Sequence, residues 1–188
     1  MIIDYGKRQI MFKIVWWGPA MSGKSTSVKY LFKHFNRLDS LRSIETGAGR
    51  TLFFDFGELH FNKGTWKVQI NIWSSTGQNF YAETRPTVLI GADGIIFVLD
   101  SQKELLKDNL QSWLELKNLI GDNINKIPII FCLNKWDLEN NINLITEKEL
   151  RHTLNIGDNY KIFKTIATNG YNVQESFYNL LDSISINK

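Results

Sequence analysis

Residues 18–25, "GPAMSGKS", constrain this chain more than any other stretch. Two glycines bracket four residues, a lysine and a serine follow, and the whole lies between an apolar run and an amphipathic one. "IMFKIVWW" (10–17) reads as a buried strand interrupted only by Lys13. After the loop, Val28, Leu31, Phe32, Phe35 and Leu38 recur at the i, i+3, i+4, i+7 spacing of a buried helix stripe. In that setting G-x-x-x-x-G-K-S lets the backbone from Gly18 curl so that successive N–H groups face one concavity. Ala20, Met21, Ser22 and Gly23 supply the turn, and Lys24, Ser25 and Thr26 open the helix, whose N-terminus adds positive potential. The shape suits phosphate. Lys24 would reach the β- and γ-phosphates of a nucleotide, and the Ser25 hydroxyl would ligate Mg²⁺. Pro19 donates no N–H, but it sits near the strand end, where the cradle does not depend on it. The alternative is a plain glycine-rich turn between strand and helix.

The rest of the chain alternates strands and helices. "TLFFDFGELHF" (51–61), the turn "NKG" and "TWKVQINIW" (65–73) read as an antiparallel hairpin. "GIIFVLD" (94–100) and "IPIIFCL" (127–133) are the short, wholly apolar runs of central parallel strands, and "YKIFKTIA" (160–167) looks like a last strand. Between the first and second of these a helix from about Gln102 to Ile120 is expected to bury Leu106, Leu110, Trp113 and Leu114. A C-terminal helix carries Val173, Phe177, Leu180, Leu181 and Ile184 on one side. The expected fold is α/β: a six-stranded, mostly parallel sheet with helices on both faces and one hairpin at its edge. At 188 residues the chain suits one domain spanning 1–188. In such sheets ligands bind at the carboxyl ends of the strands, where the motifs considered below also fall.

Composition excludes several classes. The net charge of +3 comes from scattered lysines and arginines, and the densest group, Lys29, Lys33 and Arg37, lies at helical spacing as a solvated face rather than a nucleic-acid footprint. The single cysteine, Cys132, sits in an apolar run and reads as a small buried hydrophobe. His34, His60 and His152 lack partners at metal-ligand spacing. No apolar stretch approaches the roughly 20 residues of a membrane span. The expectation is a cytoplasmic protein without an anchor of its own, monomeric alone and reaching a membrane or cell pole only through partners.

"NKWD" (134–137) directly follows the apolar strand ending at Leu133. A carboxylate at Asp137 can accept from both N1–H and the exocyclic amine of guanine, a pair that adenine cannot offer. Asn134 and Lys135 would brace the base and its loop. "TIATNG" (165–170) adds Ala167, whose amide could meet the guanine oxygen, with Thr168 beside it.

Taken together, "GP…GKS", "RTLFFDF" (50–56), "GQNFYAETR" (77–85), "GADGIIFVLDSQ" (91–102) and "NKWD" resemble the Ras-like small GTPases over nearly the whole chain, and within them the MglA-like branch of bacterial and archaeal polarity and motility GTPases. The resemblance implies a switch binding GTP or GDP with Mg²⁺. It implies that Thr51 ligates the metal and senses the γ-phosphate, that Gly77 donates its amide to that phosphate, and that Gln78 orients the attacking water. It matches Arg50 to an arginine finger supplied in cis, against the alternative of a surface switch residue. It also implies a dimeric roadblock-fold activating partner, effectors of unspecified kind, and segments 39–51 and 74–90 ordered by GTP.

Two departures from the wider superfamily bear on chemistry. Ser74 stands where most Ras-like proteins carry an aspartate supporting Mg²⁺, and Asp55 either compensates from the neighbouring strand or is turned to solvent by alternation. Ala20 replaces a common glycine, and its methyl could crowd Gln78. Both point to slow hydrolysis that depends on a partner, or to a nucleotide-binding module without catalysis. An ATP-using kinase with the same phosphate loop has no use for "NKWD". Along 51–56, one side of an edge strand carries Leu52, Phe54 and Phe56 and the other Thr51, Phe53 and Asp55. One of those sides either faces a partner or is covered by the domain's own helices.

Overall fold

The computed structural model describes residues 1–45, 51–75, 85–140 and 143–186. Eight strands form one sheet: β1 (Ile2–Asp4), β2 (Gln9–Trp17), β3 (Arg42–Glu45), β4 (Thr51–Lys63), β5 (Trp66–Ser75), β6 (Gly94–Asp100), β7 (Ile129–Asn134) and β8 (Lys161–Thr165). Their order is β3-β4-β5-β2-β6-β7-β8, with β1 paired to β2. The five strands from β5 to β8 run parallel, while β1 against β2, β3 against β4 and β4 against β5 are antiparallel. Among the described residues five α-helices accompany it: α1 (Lys24–His34), α2 (Arg85–Leu89), α3 (Leu106–Ile120), α4 (Glu147–Leu154) and α5 (Val173–Ile186).

Strand alternation sorts the core into two layers. Ile14 and Trp16 of β2, Ile96 and Val98 of β6, and Ile130 and Cys132 of β7 pack against Val28, Leu31 and Phe32 of α1 and Phe177, Leu180 and Ile184 of α5. The intervening Val15, Trp17, Ile95, Phe97, Leu99, Phe131 and Leu133 face the other way, onto Val88 of α2, Trp113 and Leu116 of α3, and Leu150 and Leu154 of α4. Both β6 and β7 are buried along their whole length, which is why they read as unbroken apolar runs. Burial also holds the Cys132 thiol protonated, with its pKa pushed up to about 12.

The mostly parallel α/β architecture and the 51–73 hairpin match the sequence reading; four details differ. The sheet has eight strands rather than six, because β1 and β3, three and four residues long, are too short for periodicity and exist through backbone pairing with β2 and β4. That pairing also means β4 is not an edge over its first six residues, since Arg42 lies opposite Phe56 and Glu45 opposite Thr51. Leu38 leaves the helical stripe: α1 ends at His34, Asn36 takes a left-handed φ of 53°, and Leu38 is 49% exposed in a short 3₁₀ turn. Leu114 is exposed as well, because α3 turns Asn109, Ser112, Trp113 and Leu116 inward. Polar Asn109 and Ser112 look like solvent positions in sequence. They are buried because Asn109 clamps the end of β6 in both directions, accepting from the Asp100 amide at 3.0 Å and donating to the Asp100 carbonyl at 2.8 Å.

Candidate nucleotide-binding site

The parallel strands end in a common row. Asp100 of β6, Asn134 of β7 and Thr165 of β8 are register neighbours, and β2 stops at Trp17 where the glycine loop begins. The described loops leaving β2, β7 and β8 at this edge each carry one of the motifs, the arrangement expected of a ligand crevice in a parallel sheet.

At the loop itself, Gly23 caps α1 with φ 99°, and a methyl there would lie 2.1 Å from the amide nitrogen of Asn134. Glycine is required both for the turn and for that close approach. Met21 adopts φ 59° without being glycine, a strained conformation of the kind concentrated at binding sites. Lys24 is buried, and its ammonium donates to the carbonyls of Gly18 at 2.9 Å and Pro19 at 2.6 Å. Burial first, and the Arg85 guanidinium second, lower its pKa to about 7 against the opposing pull of the Asp55 carboxylate. A cation held in a desolvated loop by two neutral carbonyls is well placed to exchange them for anionic oxygens, which stabilise the charge far better.

Beside it, the Ser25 hydroxyl donates to Asp55 Oδ2 at 2.5 Å. Asp55 is fully buried, so alternation turns it inward, not to solvent. Its ladder partner is Ser74, whose buried hydroxyl has no hydrogen-bond partner among the described residues. These are hard oxygen donors, one of them a carboxylate, and they fit the modest protein share of a Mg²⁺ site completed by phosphates and water.

The base end is organised by Asn134, which is buried. Its side-chain amide donates to the Ser22 carbonyl at 2.7 Å, and its Oδ1 accepts from the Ala167 amide at 3.0 Å and the Thr165 hydroxyl at 3.3 Å. One side chain thus joins the phosphate loop to the loops after β7 and β8. The Ala167 amide, expected to meet a guanine oxygen, is engaged here with Asn134 instead. Asp137 is exposed in a 3₁₀ turn from Trp136 to Asn140, free in shape to meet a ligand edge, and Thr168 is exposed too. Lys135, at φ 66°, places its ammonium 2.5 Å from Asp100 Oδ2.

The structure therefore gathers Gly18, Ala20, Met21, Ser22, Gly23, Lys24, Ser25 and Thr26 in one loop and helix start, and Asn134, Lys135, Asp137, Ala167 and Thr168 on adjoining loops. Thr51 opens β4, but its side chain, like Arg50, Gly77 and Gln78 entirely, lies outside the described residues. Sequence reasoning missed Asp100, Asn109 and Arg85. Arg85 is buried, and its Nη1 donates to both carboxylate oxygens of Glu115 of α3, at 2.6 and 2.8 Å. Asp100 was legible in principle, as a carboxylate ending an otherwise apolar strand.

The comparisons with known proteins agree with this geometry. A sequence model of the Ras family matches residues 13–186. The mutual gliding-motility protein MglA of Myxococcus xanthus is 36% identical over 177 residues, covering 91% of this chain and 89% of that protein. The GTP-binding nuclear protein GSP1 of Encephalitozoon cuniculi is 28% identical, over 93% of this chain and 76% of its own length. Ras-related protein Rab-3C of Mus musculus is also 28% identical, over 93% and 71%. The chain belongs to the Ras family, as a guanine-nucleotide-binding GTPase of the MglA-like kind.

Proposed function

We propose that residues 1–188 form one G domain acting as a Mg²⁺-dependent GTP/GDP switch, which hydrolyses GTP slowly alone and faster with a roadblock-fold activating partner. The observation that carries this reading is the convergence on Asn134 of the phosphate loop and both base-side loops. Lys24 exchanges its two carbonyl partners for β- and γ-phosphate oxygens. Ser25 and Thr51 hold the metal, with Asp55 behind Ser25 taking the place of the carboxylate absent at Ser74. Bound Mg²⁺ neutralises charge developing on the phosphoryl oxygens. Asp137 reads the guanine edge, braced by Asn134, Lys135, Ala167 and Thr168. Gln78 orients the attacking water, Gly77 donates to the γ-phosphate, and Arg50 stabilises charge in the transition state. Loss of that phosphate releases residues 39–51 and 74–90, changing the surface offered to effectors. None of the described helices is long and apolar enough to cross a membrane, and recruitment to a membrane or pole from the cytoplasm runs through partners.

Single-turnover GTP hydrolysis, with and without a roadblock-fold dimer, tests the proposal. Lys24→Ala should lose nucleotide affinity, whereas Gln78→Leu should keep affinity and lose turnover. Normal hydrolysis by Gln78→Leu would overturn the catalytic assignment. The absence of turnover from the unaltered protein under both conditions would favour a non-catalytic module, the reading that Ala20 and Ser74 would then explain.

A further inference from the structure

We infer that Asp100 is a positioning residue for base selection, setting the N-K-x-D turn through its ion pair with Lys135; the inference rests on the reading that this turn inspects the base. Asp100 ends β6 with its side chain 1% exposed, and Lys135 Nζ reaches in to 2.5 Å from Oδ2 while remaining 30% exposed itself. The other carboxylate oxygen accepts from the Gln102 amide at 3.1 Å and from its side chain at 3.0 Å, so the carboxylate cannot swivel freely. Its backbone is fixed twice by buried Asn109 of α3.

Lys135 is fixed from its other end as well. Its carbonyl accepts from the Ser101 hydroxyl at 3.1 Å, and the Ser101 amide donates to the Asn134 carbonyl at 3.0 Å. The turn continues when the Leu138 amide bonds back to the Lys135 carbonyl at 3.1 Å, carrying Asp137 between them. Lys135 holds φ 66° throughout, a conformation an L-residue adopts at a cost unless its surroundings impose it. A buried carboxylate drawing the lysine side chain inward is such an imposition, and it fixes the direction in which Asp137 leaves the turn. Asp100 touches no base in this scheme. It acts through Lys135, and a buried charge in a low-dielectric setting holds its partner far more firmly than a surface pair would.

The test uses Asp100→Asn, which keeps size and the oxygen that accepts from Gln102 but removes the charge. Release of GDP should accelerate roughly 10- to 100-fold, the loss expected of one charge-assisted hydrogen bond. The preference for GDP over IDP, which lacks the exocyclic amine, should shrink, while competition by pyrophosphate stays unchanged. A purely structural defect would weaken all three together. Lys135→Met removes the same pair from its solvent side and should show the same narrowing, and the double variant should release GDP no faster than Lys135→Met alone. Retention of full GDP-over-IDP preference by Asp100→Asn, or by Lys135→Met should Asp100→Asn not fold, overturns the inference. Asp137→Ala separates the two levels. If it keeps guanine over adenine, the base reading fails; if it loses that preference while Asp100→Asn behaves as the unaltered protein, only the positioning role fails.

Discussion

Asp55 stands directly across the β4–β5 ladder from Ser74, and the hydroxyl of Ser25 points at it from the start of α1. Opposed positions in an antiparallel pair place their Cβ atoms about 5 Å apart. A carboxylate missing from one strand can therefore be supplied by its neighbour without moving the backbone. Asp55→Asn keeps the shape and an acceptor for Ser25 but removes the charge. It should raise the Mg²⁺ concentration needed to retain GDP by roughly tenfold, the scale of one charged interaction. Exchanging the two side chains, Asp55→Ser with Ser74→Asp, should recover part of the loss. Fluorescent GDP release measured across a Mg²⁺ titration reads both, and an unchanged Mg²⁺ midpoint in Asp55→Asn would remove Asp55 from the metal site.

Asn134 should prove the most sensitive base-side residue, because it serves three segments at once. Asn134→Ala orphans the Ser22 carbonyl, the Ala167 amide and the Thr165 hydroxyl in a buried place, at about 1–3 kcal/mol for each group left unpaired. Denaturant titration should show a lower midpoint, and GDP affinity should fall by more than the stability loss alone accounts for. Asn134→Asp is the sharper probe. It keeps an acceptor for Ala167 but turns a negative oxygen toward the Ser22 carbonyl, so it should disrupt the phosphate loop selectively. Equal damage to base and phosphate contacts in the two variants would argue against a bridging role.

Much of this is legible in the sequence. The phosphate loop, the two central strands and "NKWD" announce themselves because burial on both faces forces unbroken apolar runs and because phosphate binding demands glycine at fixed positions. What stayed hidden depends on distance along the chain. Asp100 and Lys135 are separated by 35 positions, and Asn109 looks like any exposed helix residue until β6 is seen behind it. Leu38 and Leu114 misled for the converse reason: periodicity marks a stripe but cannot say where a helix stops or which edge of the stripe faces solvent.

Gly170 offers a way to separate two costs that usually coincide. Its φ is +82°, and a methyl group there would lie 1.8 Å from the ring of Tyr30, which reaches over from α1. Gly170→Ala should destabilise the protein by about 1–3 kcal/mol through strained backbone alone, with the ring clash added. Tyr30→Ala in the same chain relieves only the clash. Thermal melts of the two single variants and the double should therefore show partial rescue. Complete rescue would mean that backbone conformation at this turn costs nothing, and no rescue would mean that the ring moves aside freely.

The acid stability of α4 should be controlled by one carboxylate. Thr146 caps the helix, its hydroxyl accepting from the Glu149 amide at 3.2 Å, while Glu149 Oε2 accepts from the Thr146 amide at 2.8 Å and its hydroxyl at 2.7 Å. Lys103 adds a bond to the other oxygen at 2.9 Å. The Thr146 backbone bond, then the Thr146 hydroxyl, then Lys103 hold the Glu149 pKa down to about 2 from an ordinary 4.5. Because the folded pKa lies below the unfolded one, this contribution is fully present above about pH 4.5, and it is lost as the pH falls toward about 2. Glu149→Gln should therefore melt lower than the unaltered protein at neutral pH by a constant margin, and that margin should close between those two values. Thr146→Ala, which removes the cap that depresses the carboxylate, should flatten the same pH window and cost about 1 kcal/mol. Melting curves recorded every half unit decide the matter: a margin that stays open at pH 2 would place the acid sensitivity elsewhere.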